Sequence, residues 1–138
     1  EPLATSSPYL SQLGTLYGRP TPAGAVVLAL RLEKKHTNMR GIPHGGMLVT
    51  LADSALGRNV HLTRNPRVPM VTVSMATDFL AAANVGDWLE AHVQVHKHGA
   101  RLSFAECLLK VGDRLVLRAS GVFAAVAPVG GSRDDGND

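Results

Sequence analysis

Two kinds of hydrophobic pattern run along the chain, and together they predict most of its secondary structure. Apolar and polar residues alternate with a period of two over residues 26–32, 71–76, 87–97, 102–108 and 115–126, which is typical of strands. His98-Gly99 and Val111-Gly112-Asp113 supply turn residues between the last three of these segments. The chain is therefore expected to end in a run of strands joined by short connections.

The segment from Gly45 to about Leu62 has a helical period instead. One side of this predicted helix is apolar and consists of Met47, Leu48, Leu51, Ala52 and Ala55. A second side carries Gly46, Val49, Asp53, Gly57 and Val60. A helix with so little polar surface is expected to be mostly buried. A further short helix is predicted over residues 7–16, before Pro20 and Pro22.

One long helix followed by consecutive strands predicts an α+β fold with a mainly antiparallel sheet. One face of the sheet would wrap round the helix. The other face is expected to be unusually apolar for a monomer, which favours an oligomer. A single domain is expected over residues 1–126, with an N-terminal helical segment at 1–22 and a core at 23–126. Residues 127–138 are mostly polar and small, and a disordered tail is expected there.

The composition argues against several classes of function. The 138 residues are 45% hydrophobic and 18% charged, and Lys plus Arg exceed Asp plus Glu by 14 to 11. The basic residues are scattered and aromatic residues are few, so no nucleic-acid partner is expected. No run of ~18 apolar residues occurs, so no membrane partner is expected either. The single cysteine, Cys107, cannot form an intramolecular disulfide and fits a reducing, cytoplasmic setting.

The strongest candidate for chemistry is the triplet His44-Gly45-Gly46 at the predicted start of the long helix. A glycine in a helix costs roughly 1 kcal/mol relative to alanine, so two in succession require a reason, such as the close approach of another group. A helix N-terminus also presents unpaired N–H groups, which can stabilise an oxyanion that develops on a carbonyl. Taken alone, the triplet is explained better by tight packing of the helix on the sheet.

Asp53 lies seven residues beyond Gly46, almost two helical turns, and therefore on the same side of the helix. A carboxylate on a side that is otherwise glycine and valine is costly unless it is paired or used. It could hold or deprotonate a water molecule, or it could be paired with Arg58. Asn38 and His44 add an amide and an imidazole before the helix, so the segment as a whole assembles groups suited to acyl transfer.

These residues resemble the motif of a known family. The pattern Asn38-x-x-Gly41-x-x-His44-Gly45-Gly46, followed by Leu51-Ala52-Asp53-Ser54-Ala55, resembles the PaaI-like branch of the hotdog-fold acyl-CoA thioesterases. The likeness continues through residues 71–75 and 97–102 and covers roughly residues 24–126. It implies a hotdog fold, in which a curved antiparallel sheet wraps one central helix. It also implies a homodimer or homotetramer with its sites at the dimer interface.

The resemblance further implies roles for individual residues. The N–H of Gly45 would polarise the thioester carbonyl, and Asn38 and His44 would orient the thioester and the helix start. Asp53 of the opposite subunit would activate or align the attacking water, which Thr72 would help to hold. The remaining positions, implied to contact the substrate, are Gly46, Phe79, Lys97, His98, Gly99, Ala100 and Arg101. Of these, Phe79 and the turn at residues 97–102 match places that contact the pantetheine arm or the nucleotide of CoA. The implied reaction is hydrolysis of an acyl-CoA to a carboxylic acid and free CoA, with no separate cofactor.

Two other functions stay open. A hotdog dehydratase or hydratase would carry Asp-x-Asn-x-x-His, and this chain has His36 where that pattern has its aspartate. A non-catalytic acyl-CoA-binding protein would have no need of a water-activating acid at residue 53. Ser54 lacks the Gly-x-Ser-x-Gly setting of a serine hydrolase.

Other reactive side chains have simpler explanations. His92 and His96 share a strand face, and a solvated surface explains them and His98 better than a metal site, so no metal is expected. Cys107 is interpreted as a packed strand residue, because no neighbour in the sequence would activate its thiol.

Overall fold

The computed structural model describes residues 1–5 and 7–126, in which one long helix packs against a seven-stranded sheet. In chain order the elements are β1 (Pro2–Leu3), α1 (Pro8–Ser11), β2 (Leu16–Pro20), β3 (Val26–Arg31), a 3₁₀ turn (Lys34–His36), α2 (Gly45–Thr63), β4 (Met70–Phe79), β5 (Trp88–His98), β6 (Leu102–Val111) and β7 (Arg114–Ala125). The predicted long helix and all five predicted strands are present with similar bounds. The predicted tail at 127–138 lies outside the described residues.

The sheet is antiparallel at every pair of neighbouring strands, in the order β1-β2-β3-β5-β6-β7-β4. The chain leaves β3 inside the sheet, passes along one face as α2, and returns as β4 at the far edge. β4 pairs with β7 on one side, and within residues 1–5 and 7–126 no strand pairs with its other side. A ten-residue edge of unpaired backbone therefore runs beside the helix.

α2 is buried along the side that its periodicity predicts. Its buried residues are Met47, Leu48, Leu51, Ala52, Ala55, Leu56, Asn59 and Val60. The apolar ones share a core with inward-facing strand residues such as Leu89, Leu109 and Leu117. Each fully buried leucine contributes about 1.5–3 kcal/mol relative to an exposed one, so this contact fixes the helix on the sheet. Among the described residues, no helix has both the length and the hydropathy to cross a membrane.

Asn59 is a polar side chain within this core, and it ties α2 to β3. Its Oδ1 accepts the backbone N–H of Val26 at 2.7 Å, and its Nδ2 donates to the carbonyls of Val26 at 3.0 Å and Ala55 at 2.9 Å. Pairing of β3 with β5 begins only at Leu28. The Asn59 amide therefore takes the place of a strand partner where the two strands diverge.

The prediction for the N-terminal segment was partly wrong. The helix predicted over residues 7–16 is a single turn, Pro8–Ser11, and Leu16–Pro20 is a strand that pairs with β3. Ser7 caps the turn, and Gly14, at a φ of +89°, directs the chain out of helical conformation. Residues 1–22 therefore contribute two strands to the sheet and a single turn of helix. Leu16, at the start of the second strand, is buried in the core.

The outer face of the sheet carries both polar and apolar side chains, so the expectation of an unusually apolar face was met only in part. Its outward-facing positions on β5, β6 and β7 include Glu90, His92, Gln94, His96, Glu106, Lys110, Arg118 and Ser120. Exposed apolar side chains occur on this face at Leu102 and Phe104, which are 39% and 38% exposed. They also lie on or directly after β4, where Val71, Val73, Phe79 and Leu80 are 48–59% exposed. The apolar surface that is unusual for a monomer is therefore the free edge of β4 together with part of the outer face of the sheet.

Candidate active site

The start of α2 presents one unpaired backbone donor. His44 is the N-cap, and its Nδ1 accepts the N–H of Gly46 at 2.9 Å. Because Nδ1 accepts, the neutral ring carries its proton on Nε2. The N–H groups of Met47 and Leu48 both bond to the carbonyl of His44. The N–H of Gly45 has no acceptor in the described chain, so it is the donor left for a ligand.

At each of the two glycines, a different neighbouring side chain leaves little room for a Cβ atom. A Cβ on Gly45 would lie 3.2 and 3.3 Å from ring carbons of Phe79, the last residue of β4. A Cβ on Gly46 would lie 3.2 Å from Nδ1 of His44 and would displace the ring that caps the helix. The close approach that the sequence indicates is thus made by neighbouring side chains. Phe79, predicted to contact the substrate, forms a wall beside the free N–H of Gly45.

Replacing His44 with alanine is expected to lower the free energy of unfolding by about 1 kcal/mol, because the Gly46 N–H loses its acceptor. His44→Asn keeps a side chain that can cap the helix, and its stability is expected to stay close to that of the wild type. Urea unfolding followed by circular dichroism measures both. Equal destabilisation of the two variants would contradict the capping role.

Asp53 and Thr72, both predicted to act on the attacking water, are in direct contact. The hydroxyl of Thr72 donates to Oδ1 of Asp53 at 2.9 Å. Asp53 forms no ion pair with Arg58 within the described residues, so the pairing that the sequence left open is not made there. Oδ2 of Asp53 and the lone pairs of the Thr72 hydroxyl can each accept a hydrogen bond. Together they form a pair of acceptors suited to one water molecule.

Asp53 and the free N–H of Gly45 are far apart in one protomer. They are eight residues apart on α2, which at 1.5 Å per residue is about 12 Å. Reacting atoms must come within ~3–3.5 Å of each other, so one thioester cannot meet both groups of the same chain. The two groups therefore form separate candidate half-sites in each chain. We call them the helix-start half-site, formed by Gly45 and Phe79, and the acid half-site, formed by Asp53 and Thr72.

Asn38 lies in the loop between the 3₁₀ turn and α2. Its Oδ1 accepts the N–H of Arg40 at 2.9 Å and thereby shapes the loop. No hydrogen bond joins Asn38 to His44 or Gly45 in the part of the chain that the structure describes. The side-chain Nδ2 remains as the group that could orient a thioester, as the resemblance implies.

The predicted substrate turn, residues 97–101, lies at the opposite end of α2. Arg64, the C-cap residue of the helix, donates to the carbonyls of Gly99 at 2.9 Å and Ala100 at 2.8 Å, and to Oγ of Ser103 at 2.9 Å. The 19 residues of α2 separate this turn from Gly45 of the same chain by about 28 Å along the helix. Arg64 was not identified from the sequence, because a basic residue after a helix is ordinarily exposed.

His98 is held by a hydrogen bond at each ring nitrogen. Thr63 Oγ1 donates to the carbonyl of Asn59 at 2.7 Å, so it accepts from Nε2–H of His98 at 2.9 Å. Nδ1 in turn accepts from Ser103 at 2.8 Å. Burial and the positive charge of Arg64 lower the pKa of His98, in agreement with a neutral ring. His98 therefore anchors the turn through both ring nitrogens, which leaves neither of them free for a substrate.

The other reactive side chains that the sequence contains, His92, His96 and Cys107, are either near a carboxylate or buried. On the outer face, His92 pairs with Glu90 at 3.0 Å and His96 lies 3.7 Å from Glu106. Across residues 1–5 and 7–126, no three potential metal ligands of the His, Cys, Asp and Glu type converge. Cys107 is fully buried, and burial raises the pKa of its thiol to about 12. The interpretation of Cys107 as a packed strand residue is confirmed.

An antiparallel sheet that packs against one long helix in this way is the architecture of the hotdog fold. The family model described as the Thioesterase superfamily matches residues 40–120 of this chain, so the chain belongs to this family. The predicted hotdog fold and the recognised family are thus confirmed, and the protein is a thioester hydrolase.

Individual relatives agree with this assignment. A Pseudomonas aeruginosa protein that carries an esterase name is 49% identical over 123 residues, which are 89% of this chain and 92% of that protein. Acyl-coenzyme A thioesterase 13 of Homo sapiens is 31% identical over 81 residues, which are 59% of this chain and 57% of the human protein. The PaaI protein from the phenylacetic acid degradation operon of E. coli shares the fold with a TM-score of 0.79, at 21% identity over 88% of this chain and 86% of that chain.

Proposed function

We propose that this protein hydrolyses acyl-CoA thioesters to a carboxylic acid and free CoA at sites shared by two subunits. Each site would combine the helix-start half-site of one chain with the acid half-site of the other. The observation that carries the proposal is the Thr72–Asp53 hydrogen bond beside the free edge of β4, about 12 Å along α2 from the free N–H of Gly45. The name of the human relative supports CoA as the thiol carrier.

The free edge of β4 supports the pairing of two chains. Unpaired backbone flanked by exposed apolar side chains is a ready template for another strand, and Val71 and Val73 are 48% and 58% exposed. A two-fold axis through the middle of the edge would pair the strand with its own copy in antiparallel fashion. Pairing over the whole of Met70–Phe79 would set Thr72 opposite the partner's Thr77, two residues from the partner's Phe79.

This pairing would bring complementary half-sites together. Phe79 lies against Gly45 and Thr72 contacts Asp53, so the two half-sites of one chain lie toward opposite ends of β4. An antiparallel partner reverses these ends. Asp53 would then approach the partner's Gly45, and one thioester could contact both.

The chemistry follows from the donors and acceptors at each half-site. The N–H of Gly45 at the positive end of α2 would bind the thioester carbonyl and stabilise its oxyanion. A water donating its two hydrogens to Asp53 Oδ2 and Thr72 Oγ1 would direct a lone pair at the carbonyl carbon. Asp53 would accept a proton as the water attacks. Collapse of the tetrahedral intermediate would break the C–S bond, and the proton would pass from Asp53 to the departing CoA thiolate.

The purified protein is expected to release free thiol from acyl-CoAs, with kcat/KM of about 10⁴ M⁻¹s⁻¹ or more for its best substrate. A thiol-reactive chromogen across aryl, arylacetyl and medium-chain acyl-CoAs measures this and ranks the acyl groups. Loss of the conjugated double bond of an enoyl-CoA without thiol release would instead indicate a hydratase. Binding of the whole panel without turnover would indicate an acyl-CoA-binding protein.

Sharing of the site between subunits predicts complementation. Asp53→Asn inactivates the acid half-site and Gly45→Pro the helix-start half-site. Random mixing makes half of the dimers mixed, and each mixed dimer has one complete site of two, so about one quarter of wild-type activity is expected. Co-expression with two affinity tags and a thiol-release assay measure the recovery. Purified mixed dimers that stay inactive would refute the shared site.

A further inference from the structure

Arg64 holds the backbone of the 97–101 turn more extensively than an ordinary surface arginine would. Its NH2 donates to the carbonyls of Gly99 and Ala100, and its NH1 donates to Ser103 Oγ. Ser103 is fully buried. A planar guanidinium can satisfy three acceptors at once, whereas the single ammonium of lysine cannot reproduce this fork. The two carbonyls are therefore fixed on the side of the turn that faces Arg64.

The opposite side of the same two peptides carries free donors. Both peptides are trans, and a planar trans peptide directs its N–H away from its C=O. The N–H groups of Ala100 and Arg101 thus point away from Arg64, and in the described chain neither has an acceptor. Successive backbone N–H groups that share a direction form a concave anion site. The exposed side chains of Lys97 and Arg101 add positive charge beside it.

The turn is also constrained from within. A Cβ on Gly99 would lie 2.9 Å from the carbonyl oxygen of Leu102, so this position has no room for a side chain. The hydrogen bonds run in one direction, from Arg64 to Ser103, His98 and Thr63 in turn. This chain of donors links the C-terminal end of α2 to the base of the turn. Arg64 donates both to the carbonyls of Gly99 and Ala100 and to Ser103 at the base of the turn, and it thereby sets the orientation of the two peptides.

We propose that Arg64 is a positioning residue that aims the N–H groups of Ala100 and Arg101 at a phosphate of the CoA nucleotide. The inference rests on the proposed function, because it takes CoA as the ligand. Arg64 would act through the turn and not by touching the phosphate, since three of its five N–H groups already donate to acceptors in and beside the turn. The ligand bound by the turn is a phosphorylated nucleotide, and the acyl group lies elsewhere.

Kinetics on two thioesters test this role. Arg64→Lys and Arg64→Ala are expected to raise KM for an acyl-CoA by about tenfold, because two hydrogen bonds to a charged phosphate lose their alignment. The kcat value should stay within about threefold of the wild type. An N-acetylcysteamine thioester of the same acyl group has no nucleotide, so its kcat/KM should not change. Arg67→Ala, which removes a charge three residues away, is the matched control and should behave as the wild type.

Two kinetic outcomes would overturn the inference. If Arg64→Lys restores the wild-type KM, then charge alone matters and the positioning role is wrong. If both thioesters are impaired equally in Arg64→Ala, the residue has a general structural role.

A binding experiment separates this inference from the proposed hydrolysis. Adenosine 3′,5′-bisphosphate, the nucleotide part of CoA, is added to the whole protein, and the amide signals of Ala100 and Arg101 are followed by NMR. The inference expects both signals to move and Arg64→Lys to weaken binding by about tenfold. This result would support the inference even if the wild type hydrolysed no thioester. Absence of binding, or binding that leaves both signals in place, would overturn it.

Discussion

Asp53→Asn is expected to lower kcat by about 10²–10⁴, the usual range for loss of a general base. Asparagine has nearly the same shape as aspartate, and its Oδ1 can still accept the hydroxyl of Thr72 that now donates at 2.9 Å. It cannot take a proton from water. The fold should therefore persist while the chemical step slows. Thiol release under saturating acyl-CoA measures kcat, and thermal unfolding shows whether the fold is intact.

Ser54→Ala is the matched control for this substitution. Ser54 is the next residue on α2 and is also partly exposed, but it points away from the side that carries Asp53. Its removal should leave kcat within about threefold of the wild type, and the same result would exclude Ser54 as a nucleophile. A kcat near the wild-type value in Asp53→Asn would require another group to activate the water.

Gly45→Pro is expected to lower kcat by about 10²–10³, the effect of removing one oxyanion donor. Proline has no N–H, so the substitution deletes the free donor at the helix start. It suits this position, because proline is favoured in the first turn of a helix and His44 has the extended conformation that a following proline requires (φ −66°, ψ 133°). The helix should therefore form without the donor that binds the carbonyl.

Gly45→Ala separates the donor from the added bulk. It retains the N–H but brings the same Cβ to 3.2 Å from the ring of Phe79, which is 59% exposed and has room to move. Its kcat should exceed that of Gly45→Pro by about tenfold or more. Equal losses in the two variants would show that crowding against Phe79 lowers kcat, and the role of the N–H would be refuted.

The local elements of this fold could be predicted because each depends on residues close in the chain. The helical period of α2 placed Leu51, Ala52 and Ala55 on its apolar side, and all three are fully buried. The period of two predicted β5 and β6 as strands in the same way, but it did not show that the side of β6 with Ser103, Ala105 and Cys107 faces the core. The N-terminal segment could not be predicted as well, because Leu16–Pro20 becomes a strand only by pairing with β3.

The candidate site, too, could be predicted from the sequence only in part. The pattern around Asn38, His44 and Asp53 indicated the family and its chemistry, since those residue types and spacings are contiguous. The resemblance also implied Thr72 and Phe79, but their contacts with Asp53 and Gly45 could not be predicted, because both residues lie on β4, after α2 in the chain. Arg64 showed no signal at all, because its acceptors are carbonyls 35 and 36 residues away.

By itself, then, the sequence determined a thioesterase motif at the start of a buried helix, followed by antiparallel strands. Only the tertiary structure showed how the triplet His44-Gly45-Gly46 is arranged. His44 caps the N–H of Gly46, Phe79 packs against Gly45, and the N–H of Gly45 has no acceptor in the described chain. The tertiary structure also set Asp53 about 12 Å from that N–H and left the edge of β4 unpaired. The physical reason is that periodicity reports which side of an element is buried, whereas the partners across that surface depend on how distant segments pack.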